Sequence, residues 1–271
     1  MAKNQKAFVE KYGPWAVVTG ASDGIGQAFA EELAALGVNL IVVARRVGRL
    51  QQLADKLERK HNVQTLVVAA DLSTAEGRAA VEQNTRDLDV GLLVAAAGFG
   101  TSGALLGASL DRERNMLAVN CLAVLEQTVG FGQRFAKRGH GGIILMASLL
   151  GWQGVSGAAH YAATKAYVQS LAEGLHRELA SSNVDVLASA PGPVNSGFAG
   201  RADMRMGKAD APATVARVSL QALGTKATVI PAALGKFLSY SLLSLPRFLR
   251  VRILTGVMAS MTQHQSAYSA Q

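Results

Sequence analysis

Short β-branched or apolar runs alternate along the chain with stretches whose apolar positions recur at helical spacing. The runs predict strands near Trp15–Thr19, Asn39–Ala44, Thr65–Ala70, Gly91–Ala95, Gly142–Ala147 and Val184–Ala190, with a weaker seventh near Thr228–Pro231. Between them, helical patterns fall near Gly24–Leu36, Arg46–Lys60, Thr74–Asp87, Asp111–Lys137, His160–Ser181 and Ala211–Leu223. Ser73 with Glu76 has the spacing of a capping box for the third of these helices. Such alternation generates a doubly wound α/β fold, a parallel sheet of about seven strands with helices on both faces. The uncharged stretch Val90–Leu110 is long enough to suggest a membrane span, but its five glycines, at 91, 98, 100, 103 and 107, predict a buried strand running into a loop.

Beyond residue 232 the alternation stops. Phe237-Leu-Ser-Tyr-Ser-Leu-Leu-Ser-Leu-Pro246 and Arg247-Phe-Leu-Arg-Val-Arg-Ile-Leu254 mix apolar residues with clustered arginine. This tail reads either as a helical flap on its own domain or on a partner subunit, or as a basic amphipathic surface that touches a membrane or guides a lipid-like substrate. No repeat or linker proposes a second domain. The expectation is one domain over residues 1–271, with a core of about 13–232 and a helical extension of about 233–271.

Composition narrows the function classes. The 271 residues are 49% hydrophobic, enough for a sizeable core within one α/β domain. The net charge of +8 is spread along the chain, so it reads as a solvated basic surface. No basic stripe with interleaved aromatics suggests nucleic-acid binding. The lone Cys121 excludes an intrachain disulfide, and no Cys/His cluster has metal-ligand spacing, so the expected setting is reduced and cytoplasmic, without metal. The first eleven residues carry charge throughout and contain no apolar signal core.

Candidate chemistry begins at Thr19-Gly20-Ala21-Ser22-Asp23-Gly24-Ile25-Gly26, which follows a predicted strand and opens a predicted helix. In that setting Gly20 permits the tight turn, Gly24 allows the backbone to approach a pyrophosphate, and Gly26 allows close helix–strand packing, while the helix N-terminus favours phosphate. Asp23, unfavourable beside phosphates, is expected to point outward. After the second strand, where a carboxylate would bind the ribose of NAD(H), the chain reads Val43-Ala44-Arg45-Arg46. Either the guanidiniums accept a 2′-phosphate, favouring NADP(H) over NAD(H), or they simply begin a solvated helix. On a helix, Tyr161 and Lys165 share one face, where an ammonium would lower the phenol's pKa. Such a pair also occurs on surfaces by chance. Ser148 ends the fifth strand, where open α/β sheets place their ligands, though strand-end serines commonly serve turns. Asn120 reads by itself as a polar residue within a long helix.

The glycine turn, Asn120, Ser148, Tyr161-Ala-Ala-Thr-Lys165 and Pro191-Gly192-Pro193-Val194 together resemble, over about residues 13–200, the single-domain short-chain dehydrogenases/reductases of Rossmann-type fold. The resemblance implies that Tyr161 is the general acid in carbonyl reduction and that Ser148 polarises the carbonyl. It implies that Lys165 lowers the phenol pKa and holds the nicotinamide ribose, and that Asn120 positions a water in a proton relay. The implied cofactor contacts are Gly20, Ser22, Gly24, Ile25, Gly26, Arg45, Arg46, Asp71, Leu72, Gly98, Tyr161, Lys165, Pro191, Gly192, Val194 and Ser196. Asp71 would meet the adenine edge, or is a helix-entry residue. One departure stands out: the family's Asn-Asn-Ala-Gly is here Ala95-Ala96-Ala97-Gly98.

Tyr12-Gly-Pro-Trp-Ala-Val-Val-Thr-Gly20, Ala30-Glu-Glu-Leu-Ala34 and the tail further resemble the 3-ketoacyl-CoA reductase and 17β-hydroxysteroid dehydrogenase subgroup. That implies NADPH-dependent reduction of a ketone on an apolar acyl-chain or steroid-like substrate, and a homodimer or homotetramer. Asn195–Lys208 and Leu149–Val155, with Trp152, Val155, Phe198, Met204 and Met206, are the expected pocket. An NAD-dependent alcohol dehydrogenase and a non-catalytic NADP(H)-binding redox sensor are the alternatives.

Overall fold

The computed structural model describes residues 2–205, 207 and 209–268. Met206 and Lys208 of the expected pocket segment lie outside the described residues. Seven parallel strands form one sheet in the order β3-β2-β1-β4-β5-β6-β7: β1 (Trp15–Thr19), β2 (Asn39–Ala44), β3 (Thr65–Ala69), β4 (Val90–Ala95), β5 (Gly141–Met146), β6 (Val184–Ser189) and β7 (Thr228–Val229). Every residue of β4 and β5 is buried, because helices cover both faces of the sheet. The stretch from Val90 is thus a buried strand that runs into a loop.

Strand periodicity sorts the side chains into two cores. Ala16 and Val18 face one core with Phe29, Leu33, Leu50 and Leu220, on the side of α2 (Gly24–Ala35), α3 (Val47–His61) and α9 (Pro212–Ala222). Val17 faces the other, with Val81, Phe131, Phe135 and Val168 from α4 (Ala75–Thr85), α6 (Ala123–Arg138) and α7 (Ala159–Glu178). The sequence pattern proposes no element for residues 2–12, yet they form α1 (Ala2–Tyr12), whose Phe8, Val9 and Tyr12 pack on the first core.

Two local expectations are corrected. The helix expected over Asp111–Lys137 is interrupted: α5 (Leu110–Leu117) and α6 are joined by a wide π turn at Ala118–Leu122 that contains Asn120. The cap of α4 is Thr74, not Ser73: Thr74 Oγ1 accepts from Gly77 N at 3.0 Å. Ser73 is committed elsewhere, its hydroxyl and N–H both donating to Asp71 Oδ1 at 2.8 and 3.0 Å. The tail adopts helices, α10 (Ala233–Leu243) and α11 (Arg247–Tyr268), beside the four-residue α8 (Phe198–Arg201). Leu254 and Met258 of α11 join Val155, Ala158, Ala202 and Met204 in a third cluster beside the strand ends. Among the described residues no helix is long and apolar enough to cross a membrane.

Candidate active site

The order β2-β1-β4 places a topological switch at β1, and the C-terminal strand ends around it open into two connected depressions. The first is polar, and the glycine turn builds it. Gly20 has φ +69°, and a Cβ there would meet Ala97 at 2.9 Å. At Gly26 a Cβ would lie 2.4 Å from Gly20 O, so only glycine lets α2 start against the turn. Gly24 is hemmed in by Ser196, whose Cβ lies 2.7 Å from where a side chain would begin. Its lack of a side chain therefore serves the approach of the 194–198 loop as well as any ligand. Gly20, Ser22, Gly24, Ile25, Gly26, Arg45, Arg46, Asp71, Leu72, Gly98 and Ser196 all line this cradle.

Its charges are paired internally. Arg46 Nη2 donates to Ser22 Oγ at 3.0 Å and to Ser22 O at 3.1 Å, and lies 3.4 Å from Asp23 Oδ2. Asp23 does not point outward. Its carboxylate faces both Arg46 and Arg201 Nη2, the latter also at 3.4 Å, because guanidiniums on α8 and after β2 converge on the turn. Arg45 Nη1 stands 3.7 Å from Asp71 Oδ2. Partial burial pushes the Asp71 carboxyl up, but Ser73 and Arg45 outweigh it and hold the carboxyl below the usual range. Arg112 also lines the cradle and donates to the Arg201 carbonyl. Sequence reasoning missed Arg112 and Arg201, since neither stands in a motif.

The second depression is an apolar cavity. Ser148, Tyr161, Lys165, Pro191, Gly192 and Val194 line it, and Ile25, Gly98 and Ser196 border both depressions. Trp152, Phe198 and Met204 are in its wall as expected, whereas Val155 packs behind it in the third cluster. Tyr161 and Lys165 are both buried, and Lys165 Nζ sits 5.9 Å from the Tyr161 ring centroid while donating to Met146 O at 2.7 Å. The expected lowering of the phenol pKa is not what this geometry gives. Burial pushes Tyr161 up to about 12, with the Ser148 hydroxyl opposing, and burial lowers Lys165 to about 8. Burial therefore sets the Tyr161 value, while the Lys165 ammonium is bonded to the Met146 carbonyl. Tyr161 is therefore a fully protonated acid at neutral pH, and Lys165 is a cation close to releasing its proton.

Asn120 borders neither depression. Fully buried in the π turn, its Oδ1 accepts from Phe99 N at 3.2 Å, and its Nδ2 donates to Phe99 O at 2.9 Å and Thr164 Oγ1 at 3.1 Å. It ties the loop after β4 to α7. Thr19 adds a second brace, its Oγ1 accepting from Ala97 N at 3.0 Å, so side chains outside Ala95–Ala97 hold the loop beside Gly98. A part-buried pair that no sequence signal marked stands next to Tyr161: His160 Nδ1 lies 2.6 Å from Glu113 Oε2, which also accepts from Thr101 Oγ1 at 3.2 Å.

The model of the short chain dehydrogenase family matches residues 14–206. The chain belongs to that family. This short-chain dehydrogenase is 34% identical over 185 residues to a 7β-hydroxysteroid dehydrogenase of Clostridium sardiniense, a match that covers 68% of this chain and 71% of the relative. It is 38% identical over 181 residues to a very-long-chain 3-oxoacyl-CoA reductase of Pyricularia oryzae, covering 65% of this chain but only 55% of that one. Among solved structures, one from a study of 7β-hydroxysteroid dehydrogenase stereoselectivity superposes with a TM-score of 0.85 at 25% identity, covering 91% of this chain and 98% of the other. A short-chain dehydrogenase from Sphingobium yanoikuyae in complex with NADPH gives 0.77 at 29% identity, covering 86% and 96%. The subgroup resemblance of the sequence analysis agrees with these relatives. As a member of the family, the chain is an oxidoreductase.

Proposed function

We propose that the protein reduces the ketone of an apolar substrate to a secondary alcohol with NADP(H), and that Tyr161 is the proton donor. One observation carries the reading: an apolar cavity floored by Ser148, Tyr161 and Lys165 opens, past Gly98 and Ser196, into a cradle lined by arginines. The residues fit a dinucleotide. Gly20, Ser22, Gly24, Ile25, Gly26, Asp71 and Leu72 would hold its adenosine and phosphates, Arg45 and Arg46 a 2′-phosphate, and Gly98, Pro191, Gly192, Val194 and Ser196 the nicotinamide end. When bound, the cofactor supplies the hydride.

The chain supplies the rest. The Ser148 hydroxyl orients the substrate carbonyl, and Tyr161, protonated at neutral pH, gives its proton to the carbonyl oxygen. Lys165, with its pKa near 8, keeps a positive charge beneath the developing phenolate and holds the ribose. Asn120 acts by fixing the loop at Phe99 and the start of α7, with the proton relay implied by family resemblance passing beside it. We assign all this to one domain, working in the cytosol as a homodimer or homotetramer. Leu117, Leu125 and Val129 on the outer face of α5–α6, with Tyr167 of α7, are exposed and support an interface between copies. The inner face of the tail lines the cavity, which favours the substrate-covering reading. Phe237, Phe248 and Ile253 stay exposed and are the side chains a peripheral membrane contact would use.

A panel of ketoacyl thioesters, steroid ketones and simple apolar ketones, followed by NADPH absorbance, tests the proposal. Turnover with NADPH at least about tenfold better than with NADH is expected. Preference for NADH would make the protein an NAD-dependent alcohol dehydrogenase. Tight NADPH binding with no turnover on the whole panel would leave only a redox-sensing module.

A further inference from the structure

The apolar cavity holds a charge that the proposed reaction does not use. Among the described residues that line it there is no carboxylate, and just two cations, Lys165 and Arg250. Lys165 is accounted for by its bond to Met146 O. Arg250, in the first turn of α11, has its Nε buried without a hydrogen-bond partner, and so has the Oγ of Ser239 on α10, a residue only 5% exposed. The tail is held beside them by Leu254 and Met258 in the third apolar cluster. A buried guanidinium N–H left without an acceptor in an apolar wall is unfavourable unless an acceptor arrives there.

We propose that Arg250 and Ser239 form a receptor for an ionised carboxylate on the substrate, so that the preferred ketone is amphipathic: an apolar body bearing a carboxylate remote from the carbonyl. The inference rests on the reduction proposed above. Its geometry follows from α11. Arg250, Leu254, Val257, Met258 and Met261 line the cavity at helical spacing, so this face of the helix rises roughly 16 Å along its axis from residue 250 to Met261. Met261 O accepts from Arg205 N at 2.9 Å, which fixes that end beside the Met204 segment and leaves Arg250 at the opposite end of an apolar track. A guanidinium fork pairs with a carboxylate through two parallel N–H donors, and a serine hydroxyl adds a third.

The test uses the full chain, wild type and the variants Arg250→Leu and Arg250→Lys, with a long-chain or polycyclic oxo-carboxylic acid, its methyl ester, and a 3-oxoacyl thioester of coenzyme A. Wild type should favour the acid over the ester, chiefly through KM. Arg250→Leu should cut the acid-to-ester ratio of kcat/KM by about 10- to 100-fold, with partial recovery in Arg250→Lys. An unchanged ratio overturns the carboxylate receptor. Loss confined to the coenzyme A thioester also overturns it, placing the recognised anion on phosphate. Calorimetric binding of the acid separates the two proposals: Arg250-dependent binding without reduction upholds the receptor while the reductase reading fails.

Discussion

The cradle and the cavity share a border at Ile25, Ala96, Gly98, Ser196 and Phe198, yet they are built in opposite ways. The cradle is made of backbone turns at strand ends, and three of its guanidiniums already face carboxylates of the chain: Arg46 and Arg201 face Asp23, and Arg45 faces Asp71. The cavity is made of side chains from distant segments, around residues 149–153, 191–204 and 239–261, and among the described residues no carboxylate lines it beside its guanidinium. A ligand entering the cradle must compete with built-in anions, so discrimination there is a matter of charge. A ligand entering the cavity meets mostly apolar walls, so discrimination there is a matter of shape plus one charge.

The largest expected effect lies in the cavity. Tyr161→Phe removes the proposed acid and nothing else, so kcat should fall by about 10³- to 10⁴-fold while NADPH affinity, read by fluorescence, stays within about threefold. Retained turnover would remove Tyr161 from the mechanism. Next comes the cradle: replacing Arg45 and Arg46 together by alanine should cut the NADPH-over-NADH preference by about 10- to 100-fold. Asp23→Asn should do the reverse, tightening NADPH several-fold by withdrawing the anion that Arg46 and Arg201 now share. If Asp23→Asn weakens NADPH instead, the carboxylate is needed to position the guanidiniums and the competition argument fails. A smaller effect should appear with pH. Lys165 titrates near 8 in the free chain, so kcat/KM for reduction should decline above that pH, by at most about tenfold per unit, as the ammonium loses its proton. Tyr161, pushed up to about 12, contributes no ionisation below pH 10. A flat profile to pH 10 would show that the ammonium charge is not used.

The same contrast explains what the sequence revealed. Strand positions were legible to within about a residue or two, because β-branched runs buried on both faces have few other homes. The glycine turn was legible because backbone strain and close approach leave glycine no substitute at Gly20 and Gly26. What escaped was whatever depends on side chains meeting across long separations. Asp23 and Arg201 are 178 positions apart, and nothing local marks either as the other's partner. The helical face of α11 that lines the cavity was obscured because Phe248 and Ile253, on its exposed side, are apolar too. Ser73 failed as a cap because Asp71, two residues earlier, takes its hydroxyl. The π turn at Asn120 was invisible because Ala118-Val-Asn-Cys-Leu122 is an ordinary helical run, and the widening becomes evident only where the Asn120 amide reaches Phe99 and Thr164.

The smallest expected effect decides whether the two halves are independent. Met258 is buried in the third cluster and lines the cavity, but it does not border the cradle. Met258→Ala should widen the cavity, raise KM for a slender apolar ketone by about three- to fivefold, and leave NADPH affinity within about twofold, consistent with a modest loss of buried apolar contact. The route by which that separation could fail runs through the 196–204 segment. Met258 packs in a cluster with Met204 and Phe198, and Phe198 lies 5.4 Å, ring to ring, from Tyr161 and also lines the cradle next to Arg201. Arg201 in turn reaches Asp23 on the glycine turn. If Met258→Ala weakens NADPH as much as it raises KM, the 196–204 segment transmits cavity packing to the guanidiniums, and cradle and cavity are one site read through Phe198.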